Sequence, residues 1–327
     1  MKERFRRERG ERAAVIGRDR LKRLQPWIER RIFEPVGLLL ETLAVVRTRA
    51  QIAFVRRRAT VHRRFPGPQV MTIAPRVVAV VTHVAPTGAP DDRSVARLER
   101  TVEGLLESLG HTRLTIVVNT LAGRHATADL PAHQRARITV SEHDGTEPMF
   151  LGFEAQNEFA RRVDDGDWFL FTEDDLVLSD SLVLEKLAFF NDAAPANAVL
   201  LPHRYELMDG RKFYVDLWSK TIRPEDHPWN RLTTVEIEDW RFVEFQNPHS
   251  GFYCLSRTQL LRWLDTGRRW YGIASYVGPL ESAASGALLE AFRLYKPHPA
   301  TVTFFEIRHL GTKYAELYSE AHGLSGS

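Results

Sequence analysis

The chain has 327 residues, 43% of them hydrophobic and 27% charged, which leaves room for one large globular domain, or for a domain plus an appendage. Its single cysteine, Cys254, excludes an internal disulfide, and no CxxC or zinc-ligand spacing occurs. No uncharged apolar run approaches the roughly 20 residues that a membrane-spanning helix needs.

The net charge of +3 conceals an uneven distribution along the chain. Residues 1–65 hold 19 Lys and Arg against 7 Asp and Glu (+12), and the remainder holds 26 against 35 (−9). A basic segment attached to an acidic body indicates an anionic partner. The N-terminus is charged from Lys2 onward and lacks an apolar core, so we expect a cytoplasmic protein without a secretory signal.

Residues 1–68 are predicted to form a basic amphipathic helical extension. Apolar residues recur at helical spacing from Ile28 to Phe54, and arginines occupy the opposite surface. Such a helix can lie on an anionic membrane surface, here at the inner face of a membrane. The alternative is that its apolar stripe packs on the body or on a second subunit. Few aromatic residues and an acidic body argue against nucleic acid as the partner.

Residues 69–312 alternate buried strands with amphipathic helices, which predicts an α/β fold with a parallel first half. The predicted strands include Arg76–Thr82, Leu114–Asn119 and Arg137–Val140. The predicted helices begin at Asp92, with Asp92 as the cap, near Glu147 and at Ser181. From residue 203 to 253, short alternating runs with an Asp209-Gly210 turn indicate antiparallel hairpins. Residues 313–327 are assigned to a C-terminal tail.

The stretch that organises the body is an apolar run, Trp168 to Phe171, followed by Glu173, Asp174 and Asp175. The run predicts a central strand, and ligands of open α/β sheets bind beyond the carboxyl ends of strands. Three adjacent carboxylates repel one another unless a cation or protons intervene, and the simplest cation is a hard divalent metal. The alternative is an exposed acidic turn before the next helix. We call Glu173–Asp175 the acidic turn.

In this context the acidic turn resembles the DxD metal site of nucleotide-sugar glycosyltransferases of the GT-A fold. The resemblance covers roughly residues 76–312 and implies a GT-A-like (Rossmann-like) mixed sheet flanked by helices. It implies Mn²⁺ or Mg²⁺ as cofactor and a UDP- or GDP-sugar as donor. Asp175 would be the main metal ligand, Glu173 would assist it, and Asp174 would belong to the donor site.

By the same resemblance, Thr82, His83 and Asn119, at the ends of the first two strands, would line the nucleoside pocket. For His83 and Asn119, a capping or turn role is the alternative. His309 resembles the C-terminal histidine that many such enzymes use as a third metal ligand, and Lys313 would contact the diphosphate. The His309-x-Gly311-x-Lys313 spacing is one residue shorter on each side than the H-x-x-G-x-x-K pattern, and a structural histidine is the alternative.

Glu281 follows a Gly278-Pro279 pair and stands in the first turn of a predicted helix. In inverting GT-A enzymes an acid at such a position deprotonates the acceptor hydroxyl, so Glu281 is the candidate base and Asp239 the second candidate. The alternative for Glu281 is a residue that serves only the helix dipole. The loop around His249 and Gly251 is a candidate sugar-binding loop.

The sequence thus predicts a metal-dependent glycosyltransferase that acts on a saccharide or lipid-linked acceptor, with its stereochemistry open. A nucleotidyltransferase would also use an acidic metal site, but it usually has a glycine-rich loop after the first strand. Residues 83–91 contain only Gly88, which counts against that class. A non-catalytic scaffold held on a membrane by the basic extension is the other alternative.

Overall fold

A computed structural model describes residues 74–87, 90–217, 233–245, 248–266 and 278–321. The chain divides into two units, Met1–Gly67 and Pro68–Ser327. The first unit, and with it the predicted basic extension, lies outside the described residues. Trp229, Trp270 and Tyr271, aromatic residues that could stack on a sugar or pack in the core, also lie outside the described residues.

The second unit alternates strands and helices through most of its length. Its strands are β1 Arg76–Thr82, β2 Arg113–Leu121, β3 Ile138–His143, β4 Trp168–Glu173, β5 Leu176–Val177, β6 Ala198–Leu200, β7 His203–Met208, β8 Arg211–Tyr214, β9 Thr234–Ile237, β10 Trp240–Glu244, β11 Phe252–Ser256, β12 Arg293–Pro297 and β13 Glu306–His309. Its α-helices are α1 Asp92–Leu109, α2 Ala132–Arg135, α3 Leu151–Arg161, α4 Val183–Ala193, α5 Arg257–Leu264, α6 Pro279–Glu281 and α7 Lys313–Ala321. A π-helical turn, Ser282–Gly286, continues α6.

The main sheet has the strand order β11-β4-β1-β2-β3. Strands β1 to β4 run parallel, and β11 is antiparallel to β4. Because side chains alternate along a strand, Val80, Val117 and Phe171 share one face, where they pack with Phe153 of α3 and Trp263 of α5. The parallel strands bring the ends of β1, β2 and β4 to a single edge of the sheet.

Two smaller sheets carry the second half of the chain. One has the order β6-β12-β10-β9 and the other β5-β13-β7-β8. In the latter, β5, which follows the acidic turn directly, pairs with β13 near the C-terminus, and β13 runs parallel to β7. This pairing brings the acidic turn next to His309, although the sequence separates them widely.

The predicted α/β fold is confirmed: mixed sheets are flanked by helices. The parallel β1–β4 strands and the β7–β8 hairpin with its Asp209-Gly210 turn occur as predicted, the turn residues having φ of 50° and 71°. One local prediction was wrong. The cap of α1 is Asp91, whose Oδ1 accepts the Ser94 N–H at 2.8 Å, and Asp92 is the first helical residue.

Three further features of the described residues bear on the sequence analysis. Cys254 is buried, being 2% exposed, as a structural thiol should be. The first nine residues of the assigned tail form α7, whose Ala315 is fully buried. In the part of the chain that is described, no helix has the length and apolar character needed to cross a membrane.

Candidate functional site

A row of polar side chains crosses the carboxyl edge of the main sheet. Thr82 at the end of β1 lies in register with Asn119 of β2 on one side and with Glu173 of β4 on the other. All three alternate in phase with the core residues of β1, β2 and β4, so they project from the same face. On this face of the sheet, buried apolar side chains are followed by polar ones at the carboxyl edge, which is where ligands of α/β sheets bind.

Asn119 is the most informative member of this row. It is completely buried, and neither its Oδ1 nor its Nδ2 has a hydrogen-bond partner among the described residues. The neighbouring Thr82 Oγ1 is buried and unpartnered in the same sense. Because an unsatisfied buried polar group costs about 1–3 kcal/mol, such groups usually serve a ligand or an ordered water.

The three residues of the acidic turn point in three directions. The middle residue, Asp174, is held by the protein: its Oδ2 lies 2.6 Å from His83 Nδ1 and 3.4 Å from Arg97 Nη2, and its carbonyl accepts from Thr101 Oγ1 at 2.8 Å. His83 Nε2 accepts the Ala126 N–H at 3.1 Å, so the proton is on Nδ1 and is donated to Asp174. His83 and Asp174 therefore bind each other.

The last residue, Asp175, faces His309. Its Oδ2 lies 3.4 Å from His309 Nε2, while His309 Nδ1 contacts Glu206 Oε1 at 2.9 Å. Glu206 is fully buried and accepts the Ala315 N–H at 2.7 Å and the Tyr314 N–H at 3.3 Å, at the start of α7. A carboxylate at a helix N-terminus thus fixes the ring of His309, and the ring presents Nε2 to Asp175.

The electrostatics of this group follow from burial and pairing. Burial lowers the pKa of His309, but the contacts with Asp175 and Glu206 outweigh it and raise that pKa to about 9. Burial raises the pKa of Asp175, yet the contact with His309 brings it below its ordinary value. Without a further cation, Asp175 and His309 therefore form an ion pair at neutral pH.

Glu173, the first residue of the turn, packs on the backbone of Gly251. Its amide donates to the Gly251 carbonyl at 3.0 Å, and a Cβ on Gly251, where φ is +60°, would lie 2.6 Å from Glu173 Oε2. Burial, with the charge of Asp175 adding to it, raises the pKa of Glu173 to about 8. Glu173 is therefore protonated at neutral pH unless a cation stabilises its charge, and Gly251 permits the predicted close approach.

Several features fit a divalent cation at Asp175. Its Oδ1 is buried without a hydrogen-bond partner in the described ranges, and His309 has the carboxylate-held orientation typical of metal-binding histidines. However, nowhere in the described residues do three or more His, Cys, Asp or Glu side chains form a group that could hold a metal. The donor set is thus Asp175 and His309, with Glu173 near them, and phosphate oxygens would have to complete it.

A buried charge cluster lies behind the acidic turn. Asp216 Oδ1 accepts from Arg204 Nη2 at 2.9 Å, and its Oδ2 accepts from Lys296 Nζ at 2.7 Å. Lys296 is fully buried and also donates to the His249 carbonyl at 3.2 Å. Burial and the charge of Arg204 lower the pKa of His249 to about 3, so it is neutral. The cluster holds the candidate sugar-binding loop.

The remaining predicted residues lie in different places. Glu281 ends α6 and so stands in a first helical turn, as predicted, and the helix includes Pro279 instead of following it. α6 contacts the 3-10 turn Pro148–Phe150 before α3. Lys313 is exposed at the start of α7, with Nζ 5.6 Å from the ring centroid of Tyr314, which is itself 5.6 Å from the His309 ring. Asp239 is exposed in the turn between β9 and β10, which belong to a different sheet from β4 and β5.

Sequence reasoning missed the side chains that orient the site: Glu206, Arg204 and Lys296. The available signal was that charged residues interrupt strands whose other residues are apolar, as in His203–Met208. Charged residues are almost never buried unless they are paired, so such positions indicate a buried partner. Trp240 is another aromatic residue that could stack on a sugar, but its ring centroid lies 4.6 Å from that of Phe304, within ordinary aromatic packing.

No family model matches this chain, and no curated protein matches it. Solved structures with a similar fold include Staphylococcus aureus TarS, a glycosyltransferase, at 13% identity and a TM-score of 0.44, covering 76% of this chain and 38% of that one. A structure of S. aureus TarS 1–349 has 13% identity and a TM-score of 0.45, covering 76% of this chain and 64% of that one. This chain therefore spans less than two thirds of either, and at these values the likeness assigns no activity to it.

Proposed function

We propose that this protein is a metal-dependent glycosyltransferase of the GT-A type that moves a sugar from a UDP- or GDP-sugar to a saccharide or lipid-linked acceptor. The observation that carries the proposal is the contact of Asp175 with His309, whose ring is fixed from behind by Glu206. A histidine oriented by a carboxylate and facing a second acid is the arrangement of a divalent cation site. It lies where α/β sheets bind nucleotides.

Asp175 and His309 would hold Mn²⁺ or Mg²⁺, with Glu173 as a third group once it is deprotonated. The bound cation supplies positive charge that stabilises the departing nucleoside diphosphate. The donor's phosphates would complete the set of ligands, as is usual when the protein contributes few carboxylates. Lys313, which is exposed at the start of α7, would add a positive charge for the diphosphate.

The nucleoside of the donor would contact the polar row. Asn119 offers one acceptor and two donors with no partner among the described residues, which suits the amide-like edge of a base. Thr82 adds a hydroxyl beside it. His83 and Asp174, predicted to touch the donor, support this edge from the other face by binding each other.

In the reaction, the acceptor oxygen forms a bond to the anomeric carbon while the bond from that carbon to the diphosphate breaks. The diphosphate leaves with the electron pair, and the proton of the acceptor hydroxyl passes to a carboxylate. We assign that role to Glu281, which stands in the first turn of a helix. Direct displacement of this kind inverts the anomeric centre, and Asp239 is the second candidate base.

The test is donor binding by titration calorimetry, using UDP and GDP with Mn²⁺ and with EDTA. We expect Mn²⁺ to strengthen binding and Asp175→Asn to remove that effect. Asp192→Asn, an exposed acid on α4, is the matched control and should behave as the wild type. If the wild type and Asp175→Asn bind nucleotide equally well in EDTA and in Mn²⁺, the metal role of this site is wrong.

For the basic extension we propose an anionic membrane surface as the partner, which would place the enzyme at the inner face of a membrane. The support is the charge of +12 on residues 1–65 and the helical spacing of their apolar residues. Flotation of the full-length chain with phosphatidylglycerol-containing vesicles should show salt-sensitive binding. A protein that stays at the bottom of the gradient at low salt would contradict this proposal.

A further inference from the structure

A cavity of about 370 Å³ opens beside the N-terminus of α1. Its walls come from the loop after β1, including Pro86, from the first turns of α1 and from Arg124, which follows β2. Three arginines line it, Arg93, Arg97 and Arg124, against one carboxylate, that of Asp91. The wall therefore carries an excess of positive charge, although the second unit as a whole is acidic.

The single carboxylate of the cavity, that of Asp91, already accepts a hydrogen bond within the protein. Asp91 caps α1, with its Oδ1 accepting the Ser94 N–H at 2.8 Å, and this bond lowers the pKa of Asp91. The 18-residue helix α1 also directs the positive end of its dipole toward this end of the cavity. Asp91 therefore stays ionised and offsets one of the three arginine charges, which leaves the lining of the cavity with a net positive charge.

Two of the three arginines are held in position by contacts with other groups of the protein. Arg124 donates from Nε and Nη2 to the Ala85 carbonyl at 3.2 and 3.1 Å, which leaves Nη1 for another acceptor. Arg97 Nη2 lies 3.4 Å from Asp174 Oδ2, and its Nε is buried with no partner in the ranges that are described. Guanidinium groups held in this way lose less freedom when they bind a planar or tetrahedral oxyanion.

We propose that this cavity binds a phosphate group through Arg93, Arg97 and Arg124. Phosphate offers several oxygens to three convergent guanidinium groups, and a helix N-terminus favours the same charge. The site requires no metal ion, since all its ligands are cationic or backbone groups. Arg97 connects it to Asp174, so the bound phosphate lies beside the acidic turn without being held by Asp175 or His309.

The test is titration calorimetry of the full-length chain with pyrophosphate and with inorganic phosphate, in EDTA at low ionic strength. We expect pyrophosphate to bind, and Arg93→Gln and Arg97→Gln each to weaken binding about tenfold, as the loss of a charge-assisted hydrogen bond implies. Arg100→Gln, an exposed arginine on the same helix outside the cavity, is the matched control and should bind as the wild type. Thermal melting confirms that each variant is folded, and Arg93, being exposed, is the safer position.

Absence of pyrophosphate binding overturns the proposal. So does binding that Arg93→Gln and Arg97→Gln leave unchanged, because the anion would then be bound elsewhere. The Asp175→Asn variant should keep pyrophosphate binding in EDTA, which separates this site from the proposed metal site. If the metal proposal fails, this site is therefore still tested by its own variants.

Both a donor nucleotide and a phosphorylated acceptor could supply the phosphate. Competition distinguishes them: UDP or GDP with Mn²⁺ should displace pyrophosphate if the cavity holds a donor phosphate. If pyrophosphate and the nucleotide bind together, the cavity serves a phosphate on the acceptor. Either result supports a phosphate site, and each assigns its source.

Discussion

His83 Nδ1 and Asp174 Oδ2 lie 2.6 Å apart behind the carboxyl edge of the main sheet. His83 follows Thr82 in an extended segment and so projects to the opposite face, away from Asn119 and Glu173. The middle acid of the turn is thereby occupied within the protein, and its two neighbours remain for a ligand. Asp174 therefore has a structural role, whereas the adjacent Glu173 and Asp175 remain for ligand binding.

We expect Asp174→Ala to lower stability rather than metal affinity. The variant leaves the buried Nδ1–H of His83 without its acceptor, which costs about 1–3 kcal/mol. Urea denaturation measures that loss, and Mn²⁺ calorimetry on the folded variant should give an affinity close to that of the wild type. A variant with wild-type stability and no Mn²⁺ binding would show that Asp174 is the metal ligand instead.

Glu206→Gln should weaken Mn²⁺ binding about 10- to 100-fold, the usual effect of removing a carboxylate that orients a metal-binding histidine. The control is Glu316→Gln on the same helix, α7, where Glu316 is exposed and accepts from Thr312 Oγ1. Calorimetry of both variants makes the comparison. Equal Mn²⁺ affinities for the two would mean that His309 does not bind the ion.

Gly251→Ala and Gly210→Ala form a matched pair, because both glycines have positive φ, +60° and +71°. At Gly210 nothing lies near the added methyl group, so we expect only the backbone cost of about 1–2 kcal/mol. At Gly251 the methyl group would lie 2.6 Å from Glu173 Oε2 and must displace it. Gly251→Ala should therefore lose more stability in urea denaturation than Gly210→Ala, and it should also weaken Mn²⁺-dependent nucleotide binding. Similar losses of stability in the two variants, with nucleotide binding unchanged, would contradict the contact between Gly251 and Glu173.

Asn119→Leu should separate stability from binding. Leucine has a similar shape and removes two buried polar atoms that lack partners among the described residues, so the melting temperature should stay equal or rise. Nucleotide affinity should fall about tenfold, since hydrogen bonds of the amide to the base are lost. A clear drop in melting temperature with unchanged affinity would show that Asn119 is structural.

His203 predicts acid sensitivity of the fold. It is fully buried, and burial together with the charge of Lys296 lowers its pKa to about 4, from an ordinary value near 6.5. Between these values the unfolded chain takes up a proton that the folded chain excludes, so this contribution to stability is lost as pH falls from about 6.5 to 4. The loss is at most about 3 kcal/mol.

The measurement is urea denaturation of the wild type and of His203→Gln across that pH range. Glutamine is uncharged and can still donate to the Pro297 carbonyl, which His203 Nε2 contacts at 2.8 Å. The wild type should lose more stability than the variant on acidification, and His133→Gln, at an exposed histidine, serves as the control. Parallel curves for the wild type and His203→Gln would contradict the assignment.

The strands and the edge that holds the site could be predicted from the sequence because they depend on local patterns. The apolar run before Glu173 and the parallel order of β1, β2 and β4 place Thr82, Asn119 and Asp175 at one edge. The resemblance to a known motif added His309, and β13 does bring it to Asp175.

The buried charges could not be predicted in the same way. Asp216 lies in a 3-10 turn, Arg204 in β7 and Lys296 in β12. The apolar neighbours of Arg204 and Lys296 indicate burial, but which residues pair depends on how three distant segments pack together. The contact of Glu206 with α7 depends in the same way on where the C-terminal helix packs. Long-range partners of charged residues are not encoded in local periodicity.

The different directions taken by Glu173, Asp174 and Asp175 make this segment sensitive to insertions and deletions. Deleting one residue from β4 would shift the residues that follow it by one position, so that each side chain would project from the opposite face of the sheet. The surroundings of all three acids would then change together. Asp174 would then enter the position beside Gly251, and the contact with His83 would be lost together with the contact to His309. An alteration in length here should therefore be more harmful than any single substitution, whereas a residue added at the Asp209-Gly210 turn should be tolerated.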